Sequence, residues 1–133
     1  MNVYLCGPIN QMTDEECMGW RRHASERLSQ HRILNPMDRD YRGMESLYKD
    51  IVAFDLQDID ESDCLLVNAG RASWGTAMEV FYAARAGKSV VAYSSAAADS
   101  ISPWLRCHCT AIYWSLEEAC NAINNLQVLT ALR

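Results

Sequence analysis

No apolar run in this chain is long enough to cross a bilayer, no segment repeats, and no tract is of low complexity, so membrane spans and repeat arrays are not expected. Basic residues are in the minority: 12 Lys and Arg against 17 Asp and Glu leave a net charge of −5. Without a broad basic field to neutralise phosphates, tight binding to duplex DNA or RNA is not expected. A small anionic ligand stays open, because a helix N-terminus and a single Arg suffice for one phosphate. Zinc-ligand spacing is missing too. Cys107-His108-Cys109 lacks the intervening residues of a ligand pair and no second pair follows, so no metal is assigned. No leader of signal-peptide form precedes the first strand, and Cys6, Cys64 and Cys120 sit inside apolar runs. Buried free thiols in a reducing cytoplasm are the expectation.

What is present suits one ordinary core: 133 residues, 50% of them hydrophobic, read as a single domain over 1–133. Strand-like and helix-like stretches alternate, the pattern of a parallel sheet covered on both faces. The run from Val3 to Ile9 reads as a strand ending in a Gly7-Pro8 turn. Thr13 or Asp14 caps a helix to about Gln30, with Met18, Ala24 and Leu28 facing the core. A short strand at Ile33-Leu34 precedes a polar loop through Gly43 that could cover a crevice, then a helix from Glu45 to Asp60. Cys64 to Asn68, the helix from Ser73 to Ala86 ended by Gly87, and the strand from Ser89 make one βαβ unit. Ser94 to Ser102 is a small-residue loop, Trp104-Leu105 opens a short helical turn, and Ala111 to Trp114 is the last strand. Ser115 with Glu118 forms a capping box for the final helix.

The segment Ser73-Trp74-Gly75-Thr76-Ala77-Met78-Glu79 carries the chemistry. It places a lone carboxylate one turn inside a helix whose first N–H groups can cradle an anionic or sugar ligand. Parallel strands would converge their carboxyl ends on one crevice, with Glu79 facing it. The bland alternatives are a dipole-offsetting Glu79 and a merely capping Ser73.

Taken together, Tyr4-Leu5-Cys6-Gly7-Pro8-Ile9, Asn35-Pro36, Asp55-Leu56 with Ser62-Asp63, and Ser73-x-Gly75-Thr76-x-x-Glu79 resemble the nucleoside 2-deoxyribosyltransferase family, from the first strand to about Arg106. The resemblance implies a flavodoxin-like (Rossmann-like) three-layer sandwich with a roughly five-stranded parallel sheet. It also implies a homodimer or larger assembly whose site is completed by the neighbouring subunit, and no cofactor. Ser73, standing where many transferases carry an Asp, resembles the branch of 2'-deoxynucleoside 5'-phosphate N-hydrolases. In that branch this serine binds the 5'-phosphate, and a second serine with an Arg four residues on, matched here by Ser102 and Arg106, reaches over from the neighbour. Asn10-Gln11-Met12 departs from that branch's Arg-Gly-Gly loop, and Gly7-Pro8 and Gly75-Thr76 are transferase-like. Many transferases also bring a C-terminal carboxylate or an Asn to the sugar 5'-hydroxyl, for which Leu132-Arg133 shows no clear counterpart.

The resemblance assigns Glu79 as nucleophile and Asp55 as general acid, and places Tyr4, Gly7, Pro8, Ile9, Ser73 and Gly75 around the substrate. These residue types fit the chemistry. A carboxylate can trap an oxocarbenium-like deoxysugar at C1', and a nucleobase leaves readily only when a ring nitrogen is protonated. Asp63, at the amino end of its strand, is read as structural, and Trp74 as flanking the site. The expected substrate is a deoxynucleoside or its 5'-monophosphate. Two alternatives remain: a non-catalytic nucleotide-binding sensor of the same fold, and a phosphoribohydrolase of the cytokinin-activating type, whose Pro-Gly-Gly turn is absent here.

Overall fold

The computed structural model describes residues 1–96 and 100–131, with side chains through 126. Residues 97–99, in the middle of the small-residue loop expected from Ser94 to Ser102, and the terminal Leu132-Arg133 lie outside the described residues. Five parallel strands form one sheet: β1 (Asn2–Cys6), β2 (Arg32–Leu34), β3 (Cys64–Asn68), β4 (Ser89–Tyr93) and β5 (Ala111–Tyr113). Their order is β2-β1-β3-β4-β5, with Tyr4 level with Leu65, Cys6 with Val67 and Asn68 with Tyr93. This is the flavodoxin-like α/β fold. The chain moves outward from β1 to β2 and then crosses to the other side at β3, so the topological switch lies between β1 and β3.

Period-two alternation along the strands supplies two cores, one per face. Val3, Leu5, Cys64, Leu66 and Val91 pack with Ala24 and Leu28 of α1 (Asp14–Arg27) and with Leu116, Ala119, Cys120 and Ile123 of α5 (Leu116–Ala131). Tyr4, Cys6, Leu65, Val67, Val90 and Ala92 pack on the opposite face. Their partners there are Ile59 of α2 (Tyr48–Glu61), Val80 and Ala83 of α3 (Trp74–Arg85) and, more loosely, Leu105 of α4 (Pro103–His108). The interiors of β1, β3 and β4 are buried, as expected for strands covered on both sides, while the edge strands β2 and β5 are only partly covered.

Several boundaries and faces differ from the sequence reading. β1 stops at Cys6, so Gly7, Pro8 and Ile9 belong to the turn rather than the strand. α1 ends at Arg27, and its buried stripe is Cys17, Arg21 and Ala24, followed by Leu28 at the cap; Met18 is only partly buried. A stripe containing an arginine does not register as apolar in a sequence pattern. Thr13 is the N-cap, with Glu16 completing a reciprocal capping box. At α5 the reciprocity shifts by one residue: Ser115 Oγ accepts from Glu118 N, while the Glu118 carboxylate accepts from Trp114 N. Trp114 falls outside β5 and is exposed. The helix expected from Glu45 starts as a 3-10 turn over Glu45–Leu47 before α2 proper. Asp63 is structural, accepting from Asn2 N at 2.8 Å.

Candidate active site

Beyond Cys6, β1 opens into the Gly7-Pro8-Ile9 turn, closed by Met12 N donating to Ile9 O at 3.2 Å with Gln11 in the left-handed region at φ 60°. Gly7 is required by packing. A Cβ there would lie 2.7 Å from Trp20 Cζ2 and 3.2 Å from Asn68 Cβ, so the close approach of α1 and the end of β3 leaves no room for a side chain. The other wall of the crevice is the start of α3. Ser73 is its N-cap, accepting from Thr76 N at 3.4 Å, and no acidic residue occupies the first turn. That leaves the helix's positive end open to an anion.

Glu79, one turn further on, points back along its helix toward Gly75, whose missing Cβ would sit 3.8 Å from Glu79 Oε1. The bareness of Gly75 thus opens space over the carboxylate. Glu79 Oε2 and the neighbouring Thr76 Oγ1 are buried and without hydrogen-bond partners. Burial pushes the Glu79 carboxyl up to about 7; Asp55 reinforces the shift, while the Tyr4 hydroxyl, the Cys6 thiol and Arg21 favour the charged form. Tyr4 is wholly buried in β1, and its hydroxyl is held protonated by burial first and by Glu79 and Asp55 next.

Asp55 comes to this cluster from α2, with its carboxyl raised above the ordinary range by burial and by Asp58, against the pull of Arg39 and Arg21. Arg39 reaches it from the loop after β2. Its Nη2 lies 3.4 Å from Asp55 Oδ1 and 2.7 Å from Asp58 Oδ2, and its guanidinium stacks 5.4 Å from the Phe54 ring centroid. Asn35 caps the short 3-10 helix Pro36–Asp38, and Arg42 bridges Asp40 and Asp14 at 2.6 Å each. The loop between β2 and α2 is therefore tied at two points near its middle, by Arg39 to α2 and by Arg42 to α1.

The expected residues do not all converge on one place. Tyr4, Asp55, Gly75 and Glu79 form one connected cluster, with Ser73 capping the helix that carries Glu79 and Gly7 following directly on β1. Ser102 and Arg106 do not join it. Ser102 caps α4, accepting from Trp104 N at 3.3 Å, and Arg106 lines a separate, open cavity of about 620 Å³ with Pro103, Cys107, Cys109, Thr110, Ala111 and Ile112. Pro8 instead lines a second cavity of about 410 Å³ across the switch point, with Met12, Trp20, Asn68, Gly70 and Arg71 among its walls. Sequence reading overlooked Arg21 and Arg39 nearby, and read Cys6 only as a buried thiol rather than as a neighbour of Glu79. The arginines occupy an otherwise apolar stripe and a polar loop, where nothing local marks them.

Comparison with solved structures gives the same architecture. A 2-deoxyribosyltransferase from the psychrotolerant bacterium Bacillus psychrosaccharolyticus superimposes with TM-score 0.73 at 18% identity over 91% of each chain. A conserved protein from Enterococcus faecalis V583 does so with TM-score 0.71 at 17% identity, over 93% of this chain and 97% of that one. A sequence comparison with curated proteins finds no match. Residues 3–126 match the sequence pattern of the nucleoside 2-deoxyribosyltransferases, and the chain belongs to that family.

Proposed function

We propose that this protein cleaves the N-glycosidic bond of a 2'-deoxynucleoside or its 5'-monophosphate through a covalent deoxyribosyl ester on Glu79. The observation that carries this reading is the buried, unpartnered Oε2 of Glu79 in a carboxylate facing Tyr4 and Asp55 beneath the open space at Gly75. A carboxylate desolvated in this way is a better nucleophile than one in water, and an oxocarbenium-like carbon is the electrophile it suits.

In the first step the Glu79 oxygen bonds to C1' while the C1'–N pair leaves with the base, which takes a proton from Asp55. In the second, water attacks C1', Asp55 recovers its proton, and the ester bond breaks to regenerate the carboxylate. If a second base attacks instead, the outcome is transfer. Ser73 and the free N–H groups at the head of α3 would receive a 5'-phosphate or 5'-hydroxyl. Tyr4 would orient Glu79, and Gly7, Pro8 and Ile9 would line the sugar side.

A second copy of the chain fits this scheme. Trp74, Met78 and Phe81 recur along one face of α3 at 91%, 70% and 46% exposure, and Trp104 of α4 is 75% exposed beside them through the His108 ring. A contiguous apolar face of this kind at the mouth of a site suits burial against a partner. A neighbour's Ser102 and Arg106 would approach the crevice from there.

The deciding experiment is incubation with a panel of deoxynucleosides and deoxynucleoside monophosphates, with and without acceptor base, followed by chromatography for free base and new nucleoside. Base release that disappears in Glu79→Gln is the expected outcome. Binding without release from any substrate would favour the sensor reading.

A further inference from the structure

Arg21 is a fully buried guanidinium with no ion-pair partner among the described residues. From α1 it reaches the turn that follows β1. Nη1 donates to Cys17 O at 2.6 Å and Nη2 to Gly7 O at 3.0 Å, the guanidinium carbon lies 4.6 Å from the Trp20 ring centroid, and Nε has no partner. Trp20 in turn abuts Gly7 and meets the edge of Tyr93. Burying a charge without a counter-ion costs several kcal/mol, and a methionine would fill the same stripe without that cost. The position of this cation therefore calls for an account beyond packing.

We propose that Arg21 is a positioning residue for the reaction: it pins the Gly7 carbonyl, and with it the Gly7-Pro8 turn beside the sugar, and supplies the fixed positive charge facing the Glu79 carboxylate. This rests on Glu79 being the nucleophile. The titratable and charged groups that face Glu79 are Tyr4 and Cys6 from β1, Asp55 from α2 and Arg21 from α1. Of these, Arg21 alone carries a permanent positive charge. Tyr4 and Cys6 are held neutral, and an ionised Asp55 opposes a second negative charge. A cation held by two backbone carbonyls costs nothing to reorganise when the ester forms and breaks, which is the advantage of a preorganised site.

The test compares Arg21→Met, which keeps volume and removes charge, with Arg21→Gln, which removes charge but keeps an amide donor for the Gly7 carbonyl. Glu79 titration is read by carbon NMR of proteins labelled at the glutamate carboxyl, its signal identified by loss in Glu79→Gln, alongside the pH profile of base release. In either neutral variant that folds, the Glu79 midpoint and the acidic limb of kcat/KM should both move up from the parent's. Arg21→Gln should also hold KM closer to the parent than Arg21→Met does. A folded neutral variant whose Glu79 titrates as in the parent overturns the proposal. The NMR arm reads out without turnover, so an inactive parent would sink the proposed reaction while leaving the charge relationship measurable.

Discussion

Arg39 and Asp55 are joined across the crevice edge, Nη2 to Oδ1 at 3.4 Å, with Asp58 the closer partner of the same guanidinium at 2.7 Å. The longer contact leaves Asp55 the freer of the two acids, and burial outweighs the cation so that its carboxyl titrates above the ordinary range. A group asked to deliver a proton to a departing base benefits from that direction of shift.

Asp55→Asn should therefore lower base release by about 10²–10⁴-fold with ordinary deoxynucleosides. It should cost far less with a deoxynucleoside whose base already carries a positive charge. Asp58→Asn removes the shorter half of the same ion pair and should leave turnover within a few-fold. Chromatographic rates for both variants check this; equal losses would reduce Asp55 to an anchor for Arg39.

Glu79→Gln should abolish turnover and stabilise the fold in a defined pH window. The carboxyl titrates at 4.5 when unfolded and at about 7 when folded, so the folded state holds its proton more tightly. The parent's stability relative to the Gln variant is then greatest below about pH 4.5, falls as the pH rises to about 7, and is flat above it, for a total on the order of 3 kcal/mol. Urea unfolding of both proteins across that range measures it. The same ionisation gives base release an acidic limb near pH 7, shared with Asp55 because the two carboxyls interact.

Gly75→Ala should raise stability and lower activity together. Gly75 sits in the first turn of α3 at an ordinary helical φ, and replacing a helical glycine by alanine gains up to about 0.5–1 kcal/mol. The new methyl would stand 3.8 Å from Glu79 Oε1, in the space proposed for the deoxysugar. A higher melting temperature with at least a tenfold loss in kcat/KM is expected. A stabilised variant with unchanged kinetics would place the sugar elsewhere.

Met78→Glu, which puts a charge at the centre of the exposed α3 face, should shift the proposed dimer toward monomer in sedimentation velocity. Base release should fall with the dissociation, and concentrating the variant should restore part of it. A parent that sediments as a monomer at high concentration would remove the second copy from the site.

Much of this architecture was readable from the chain. The alternating apolar runs at Val3, Cys64 and Ser89, the helix cap at Ser73 and the stop at Gly87 are local signals, and the βαβ unit follows from them. Tyr4, Asp55, Gly75 and Glu79 were singled out by motif and do form one cluster. Less readable were the end of β1 at Cys6, the stripe that takes Arg21 rather than Met18, and Arg39's double contact. Each depends on what lies opposite in space, and sequence periodicity carries no information about that.

By itself, then, the order of residues determined the layers: period-two runs must be covered on both faces, and 3.6-period helices between them provide the cover. Only the folded chain decided the electrostatics. Whether a carboxyl titrates near 7 or near 4, and whether an arginine is solvated or sealed beneath a turn, depends on the local dielectric and on charges brought in from four different elements, because Coulomb energies in a desolvated crevice depend on distance through space and not along the backbone.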